Sequence, residues 1–254
     1  MIEFKHISKS FNGKLVLDDI SSQFQRGKIS LVIGTSGTGK SVLLKCIVGL
    51  IKPNHGSVTF DGRDMLGGSR NTIINIKREI GMLFQGGALF DSKNIEENVM
   101  FPLNMLTDMS KSEKLDRVNF CLNRVGLSNV NKKLPSELSG GMQKRVGIAR
   151  AIVNNSKYLF CDEPNSGLDP QTSLLIDELI QELTHEYNIT TVIVTHNLDT
   201  IFTVGDHILF LDQGKKAWEG TSKGLFHTEV QALKDFLFAS RMLQLIKNPD
   251  ATQA

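Results

Sequence analysis

The segment that most constrains this chain is Gly34-Thr35-Ser36-Gly37-Thr38-Gly39-Lys40-Ser41. It fits the pattern G-x-x-x-x-G-K, followed by Ser or Thr, without a mismatch. Glycines let successive backbone N–H groups turn toward one point, and such a nest binds anions. The apolar run Ile29-Ser30-Leu31-Val32-Ile33 precedes it and suits a strand buried on both faces. Val42, Leu43, Leu44, Ile47, Val48 and Ile51 follow at helical spacing, and Lys52-Pro53-Asn54-His55-Gly56 is expected to stop that helix. This order aims the helix's positive N-terminus at the same anion. The prediction is a nucleotide site. Lys40 carries charge to the β and γ phosphates, and Ser41 offers a hydroxyl to Mg²⁺.

Strand signals surround the loop. Residues 2–7 and 15–17 flank Asn12-Gly13, a hairpin turn whose two positions tolerate positive φ. Residues 57–60, turned by Asp61-Gly62, and residues 80–84 are further strands. From Gly87 to Asn155 the character becomes helical. Ser110 and Glu113 form a capping box, Leu115, Val118, Leu122 and Val125 continue its face, and Gly126 closes it. A second helix is expected over 141–153. Strand runs return at 158–161, 190–194 and 207–211. A helix opens at Asp169-Pro170 with the apolar face Leu174, Leu175, Ile176, Leu179, Ile180 and Leu183. Strands alternating with helices predict an α/β fold with a parallel sheet covered on both sides. Asp212-Gln213-Gly214-Lys215 is another hairpin turn. From Ser222 a tail begins, with Val230, Leu233, Phe236, Leu237, Met242, Leu243, Leu245 and Ile246 as its apolar positions.

Composition narrows the class. In 254 residues, 40% hydrophobic and 22% charged, the net charge of +2 balances 29 basic against 27 acidic side chains. That mix excludes a disordered chain, and its balance argues against a nucleic-acid partner. No apolar run reaches the ~18–20 residues of a membrane span. The first residues lack the apolar core of a signal peptide. Cys46, Cys121 and Cys161, odd in number and mostly in apolar stretches, read as reduced core residues.

Two further segments carry chemistry. Tyr158-Leu159-Phe160-Cys161-Asp162-Glu163 is an apolar strand ending in two carboxylates. Alone, such a pair is an ordinary polar turn. On the same sheet as a phosphate loop it stands where α/β sheets bind ligands, with Asp162 holding Mg²⁺ and Glu163 acting as general base. Leu138-Ser139-Gly140-Gly141-Met142 opens a helix. It is either a simple helix cap or a second anion site, and a nucleotide held between two copies of a chain needs such a site.

Together these segments resemble the ATP-binding-cassette (ABC) family, in order and spacing over about residues 1–221. Residues 34–41 match its Walker A, residues 138–142 its signature, and residues 158–163 its Walker B with the catalytic glutamate. Ser166-Gly167-Leu168-Asp169 looks like the D-loop, Gln85 like the Q-loop glutamine, His196 like the switch histidine, and Phe11 like the aromatic that stacks on adenine. The resemblance implies a P-loop NTPase with a mixed sheet, an N-terminal antiparallel β subdomain and an inserted helical subdomain. The core would span 1–86 and 156–221, the helical subdomain 87–155 and the tail 222–254. It implies Mg²⁺-dependent ATP hydrolysis in a head-to-tail homodimer, each ATP lying between residues 34–42 of one subunit and Ser139, Gly140, Gly141 and Met142 of the other. His196 would contact the γ-phosphate. Gln85 would bind Mg²⁺ and report to a multi-span membrane permease.

Two positions depart from the family pattern. Met142 stands where Gln is common, with Gln143 one place later, which puts a ribose contact in doubt. Val42 lacks the second hydroxyl usual after Ser41. The runs Gly86-Gly87-Ala88-Leu89-Phe90 and 98–103 correspond to the groove for a permease helix. Together with the Walker A and signature wording, the Gly-Ala-Leu-Phe run is similar to ATPases of MCE-type (mammalian cell entry) phospholipid transporters. That implies an MCE-domain substrate-binding protein as a further partner, at the cytoplasmic face of the inner membrane. A small-solute importer, such as one for amino acids, and a non-transport ABC ATPase are the alternatives. A kinase or GTPase would leave residues 138–142 and His196 unexplained.

Overall fold

The computed structural model of the protein describes residues 1–239. Its strands form two sheets. β1 (Ile2–Phe11) and β2 (Lys14–Phe24) turn at Asn12 and Gly13, both at positive φ (49° and 78°). β4 (His55–Phe60) and β5 (Arg63–Asp64) complete an antiparallel sheet of order β2-β1-β4-β5. The second sheet runs β10-β9-β3-β8-β7-β6. Its members are β3 (Ile29–Ile33), β6 (Ile80–Leu83), β7 (Tyr158–Asp162), β8 (Thr190–Val194), β9 (His207–Asp212) and β10 (Lys215–Gly220). All neighbours in it are parallel except β9 and β10, whose hairpin turns at Gln213 and Gly214.

Alternation along the parallel strands builds two cores. Ile29, Leu31 and Ile33 face one side with Leu159, Cys161, Ile193, Ile208 and Phe210. Val32, Tyr158, Phe160, Val192, Val194, Leu209 and Leu211 face the other, toward the antiparallel sheet. The helix α1 (Lys40–Ile47) packs on this second side through Leu43, Leu44, Cys46 and Ile47. On the first side lie α3 (Ile95–Leu106), α4 (Lys111–Arg124), α5 (Gly140–Ile152), α6 (Pro170–Glu186) and α7 (Leu198–Thr203). α4 opens on the Ser110–Glu113 capping box, and Asp169 caps α6 as its sequence indicates. All three cysteines are buried and free.

Several boundaries differ from the sequence reading. α1 ends at Ile47, because Gly49 takes φ 68° before Lys52 is reached. β1 and β2 run well beyond residues 2–7 and 15–17. Helix α2 (Arg70–Arg78), capped by Ser69, is an element beyond those the sequence indicates; it turns Ile73 and Ile76 toward the second core. On α6, Leu174 and Leu175 are exposed, and the buried face is instead Ser173, Ile176, Asp177, Ile180, Leu183 and Thr184. The tail yields α8 (Ser222–Leu225) and α9 (Gln231–Phe238), with Leu233 and Leu237 fully buried. Met242, Leu243, Leu245 and Ile246 lie outside the described residues.

Candidate active site

Three adjacent parallel strands, β3, β8 and β7, end level with one another. Val194 is in register with Val32 on one side and Asp162 on the other. The loops leaving these ends carry Gly34–Ser41, Glu163 and His196, so sequence-distant groups share one sheet edge.

In the phosphate loop Gly34, Gly37 and Gly39 take φ of 147°, 84° and 99°. Space as well as conformation demands glycine at two of them. A Cβ at position 34 would lie 2.3 Å from the Leu211 carbonyl oxygen, and one at 39 would lie 2.7 Å from Leu17 Cδ2. The Thr38 hydroxyl donates to the Thr35 carbonyl at 2.9 Å. Lys40 Nζ donates to the carbonyls of Gly34 and Thr35, at 2.8 Å each, so the ammonium is parked inside the loop. Burial lowers its pKa, opposed by the charges of Glu163 and Asp162. No side chain caps α1, which leaves its first N–H groups to face an anion. Val42 has a packing role, against the second core.

Ser41 Oγ donates to Asp162 Oδ1 at 2.9 Å. A hydroxyl and a carboxylate side by side are the oxygen donors a hard cation such as Mg²⁺ takes, so these residues fit the ion that accompanies nucleotide. Glu163 adopts φ 51°, with its N–H bonded to the Val194 carbonyl at 2.9 Å. Its Oε1 lies 2.8 Å from His196 Nδ1. The carboxylate is mostly sheltered (13% exposed) and the imidazole is open (61%).

Gln85 follows β6, and its Nε2 donates to Ser166 Oγ at 3.5 Å, across to the loop that ends in Asp169. The Asp169 carboxylate accepts from the Thr172 N–H and hydroxyl at 2.9 and 2.6 Å, which holds it below the usual carboxylate range. Phe11 is exposed, with Lys9 Nζ 5.0 Å from its ring centroid. Ser139 caps α5, accepting from Met142 N–H at 3.3 Å, and Gly140 and Gly141 form the helix start. Among the described residues no hydrogen bond joins 139–142 to the phosphate loop of the same chain. The Gln143 amide donates to the carbonyls of Pro135 and Leu138 at 2.9 and 3.2 Å, so it is spent inside its own chain.

Two cations on α5 escaped the sequence reading. Lys144, only 6% exposed, donates to the Gln85 carbonyl. Arg150 donates to the carbonyls of Gly87 and Ala88 at 2.6 and 2.8 Å. Together they fasten the segment after Gln85 onto α5. Their only sequence signal was basic residues in a helix whose other positions are mostly small and apolar, a pattern that Arg145 shares.

The ABC transporter family model matches residues 17–166. The probable ribonucleotide transport ATP-binding protein mkl of Mycobacterium leprae is 39% identical over 241 residues, 95% of this chain and 70% of that protein. The methionine import ATP-binding protein MetN of Campylobacter jejuni is 38% identical over 259 residues, 96% of this chain and 77% of that protein. Among solved structures, a bacterial ABC transporter cassette in dimeric form superposes with a TM-score of 0.80 at 32% identity, covering 87% of this chain and 99% of that one. Phosphate loop, carboxylate pair and histidine thus share one sheet edge in a chain with relatives of this kind, and the chain belongs to the ABC transporter family as an ATP-hydrolysing cassette.

Proposed function

We propose that two copies of this chain close around two ATP molecules and drive a separate membrane permease. The observation that carries this reading is the Glu163–His196 pair, 2.8 Å apart beside a phosphate loop whose Ser41 meets Asp162. Residues 34–42 cradle the phosphates, and Lys40 leaves its loop carbonyls for the β and γ phosphates. Ser41, Asp162 and Gln85 would hold Mg²⁺, which supplies charge neutralisation on the transferring phosphoryl group. Glu163 accepts the proton of the attacking water, and His196 orients both the carboxylate and the γ-phosphate. Phe11 stacks on adenine. Ser139, Gly140, Gly141 and Met142 serve the ATP held by the other copy. That they form a free, capped helix start, unbonded to their own phosphate loop, supports this role. Asp169 lines the same junction.

The working units in this reading are a core of residues 1–86 and 156–221, a helical unit of 87–155 and a tail of 222–254. A groove of about 380 Å³ lined by Met82, Phe84, Ala88, Phe90, Phe101 and Pro102 supports docking of a permease helix. No helix among the described residues is long and apolar enough to cross a membrane, which is consistent with a peripheral subunit on the cytoplasmic face of the inner membrane. For cargo, the run 86–90 and the wording of the phosphate and signature loops favour phospholipid carried with an MCE-domain protein. The relatives named for ribonucleotide and methionine transport favour a small-solute importer instead. Co-purification from membranes with lipid analysis decides: bound phospholipid and an MCE-domain chain support the first reading, and a solute-binding protein refutes it. For the chemistry, Glu163→Gln should bind ATP, form a stable dimer and hydrolyse at least about 10²-fold more slowly. A normal rate would remove Glu163 from the role of base.

A further inference from the structure

The two loops that carry Glu163 and His196 are tied together beneath the site by a carboxyl that touches neither. Asp177, on α6, is 2% exposed. Its Oδ1 accepts from Asn165 Nδ2 at 2.9 Å and its Oδ2 from Thr200 Oγ1 at 2.7 Å. Asn165 Nδ2 also donates to Thr200 Oγ1 at 3.0 Å, which closes a triangle of hydrogen bonds. Asn165 is 7% exposed and Thr200 is fully buried. Asn165 stands two positions beyond Glu163, and Thr200 stands four beyond His196, in the helix that its loop enters.

This carboxyl is costly where it sits. Among the described residues no cation is paired with it, and Asp199 adds a like charge. Well-packed apolar side chains would fill such a space at least as stably. What they lack is direction, because a closed triangle of hydrogen bonds permits one arrangement of its three segments. Direction matters here because Glu163 holds a left-handed φ of 51°. Such a conformation persists only where its surroundings over-determine it. Its own backbone is held on the strand side by the Val194 carbonyl and on the loop side by Ser166 N–H, which donates to the Glu163 carbonyl at 3.2 Å. The loop then turns through Asn165, whose carbonyl accepts from Leu168 N–H at 3.2 Å.

We propose that Asp177 is the positioning residue of the catalytic pair, locking the Glu163 loop to the helix behind His196 so that base and imidazole keep their spacing. The inference rests on the reading of Glu163 as general base with His196 as its partner. It predicts a loss in turnover without a loss in nucleotide binding, the pattern of an interaction that matters only in the transition state.

The test uses the full chain and measures kcat and KM for ATP, nucleotide affinity and thermal stability. Asp177→Leu keeps the branched shape with bulkier tips and removes both acceptors, so its stability is measured alongside its rate. Thr200→Val removes a single hydroxyl and guards against a misfolded leucine variant. Both should lower kcat on the order of 10- to 100-fold with KM and affinity unchanged, since small misplacements of reacting groups cost that much. Asp177→Asn should recover most of the rate. Its carbonyl can accept from Thr200, and its amide can donate to Asn165 Oδ1 once the Asn165 amide turns over, which keeps two of the three bonds and gives up the one from Asn165 to Thr200. A normal kcat in Thr200→Val overturns the inference. So does an equal loss in the Asn and Leu variants that follows their loss of stability. Glu163→Gln run in parallel keeps the two ideas apart. If it is inactive while Thr200→Val is normal, only the positioning role falls; if it is active, the base assignment falls first.

Discussion

Ser41 donates to Asp162 and, as the proposed ligand of Mg²⁺, would give that bond up to the ion; Ser41→Ala separates the two roles. Its hydroxyl donates to Asp162 at 2.9 Å, and Asp162 is only 7% exposed. A hydrogen bond to a charged acceptor contributes about 1.5–3 kcal/mol net. For a chain of this size each 1 kcal/mol moves Tm by about 2–4 °C, so the alanine variant alone should melt about 3–12 °C lower. With nucleotide the sign of the argument changes. On the proposed reading the wild-type hydroxyl then turns to the cation, and ligand at 100 times Kd adds about 2.7 kcal/mol to the stability of the folded chain. The assay is thermal unfolding with ATP and Mg²⁺ against ATP and chelator. Wild type should show a larger ATP-induced rise in Tm with Mg²⁺ than with chelator. Ser41→Ala should show the same small rise in both, because one of the oxygens that fixes the ion is gone. Should the alanine variant keep the wild-type Mg²⁺ increment, Ser41 is not a ligand of the ion. Should it melt at the wild-type temperature without nucleotide, the Ser41–Asp162 bond does not stabilise the resting site.

Other consequences are simpler to state. Lys40→Ala should abolish tight ATP binding in a nucleotide titration, since the only ammonium parked in the phosphate loop is lost. Gly39→Ala should cost about 1–3 kcal/mol by overpacking against Leu17, read as a lower denaturation midpoint, with ATP binding lost as well. Phe11→Ala should weaken ATP binding by about 0.5–1.5 kcal/mol, the worth of aromatic stacking, with Tm unchanged because the ring is already exposed. Burial raises the Asp177 pKa above 3.8, so the stability this group contributes is present below that pH and lost as pH rises through its folded value. The Tm of Asp177→Asn relative to wild type should therefore rise as pH climbs from 3.8, and a constant difference across the range would contradict the shift.

What the sequence makes legible is what short-range chemistry decides. The hairpin at Asn12-Gly13, the cap at Asp169 and the capping box at Ser110 need only a few neighbours, and all three stand where their residues indicate. The phosphate loop is legible because Gly34, Gly37 and Gly39 all take positive φ, a local demand; the close approach of Leu211 to position 34 and of Leu17 to position 39 is a tertiary demand added to it. α2 is different: its inward face is only Ile73 and Ile76, too short a stripe to stand out beside the exposed Ile74, although Ser69 caps it and Lys77 and Arg78 stand in its last turn. Lys144 and Arg150 are legible only once the segment after Gln85 is seen to lie along α5, which no periodicity within α5 can reveal.

The face of α6 shows how the most informative group escaped. An apolar stripe over Leu174, Leu175, Ile176, Leu179, Ile180 and Leu183 is wide enough to look complete, and it leaves Asp177 to solvent. The helix is in fact turned so that Ser173, Ile176, Asp177, Ile180, Leu183 and Thr184 face inward, while Leu174 and Leu175 are 43% and 44% exposed. Pure burial energy would favour the other rotation, since a leucine side chain gains about 1.5–3 kcal/mol on full burial and a carboxyl pays to leave water. The rotation observed is the one that lets Asp177 reach Asn165 and Thr200. A helix that hides a carboxyl and shows two leucines gives up stability in its own chain. Two returns fit that arrangement: a fixed spacing of Glu163 and His196 behind the polar face, and, in the proposed dimer, an exposed apolar pair on the helix that Asp169 caps, available to be covered by the second copy. The first is tested by Thr200→Val. The second makes Leu174→Ser and Leu175→Ser variants that keep the Tm of the single chain and weaken ATP-dependent dimerisation; unchanged dimerisation would leave the exposed leucines without that role.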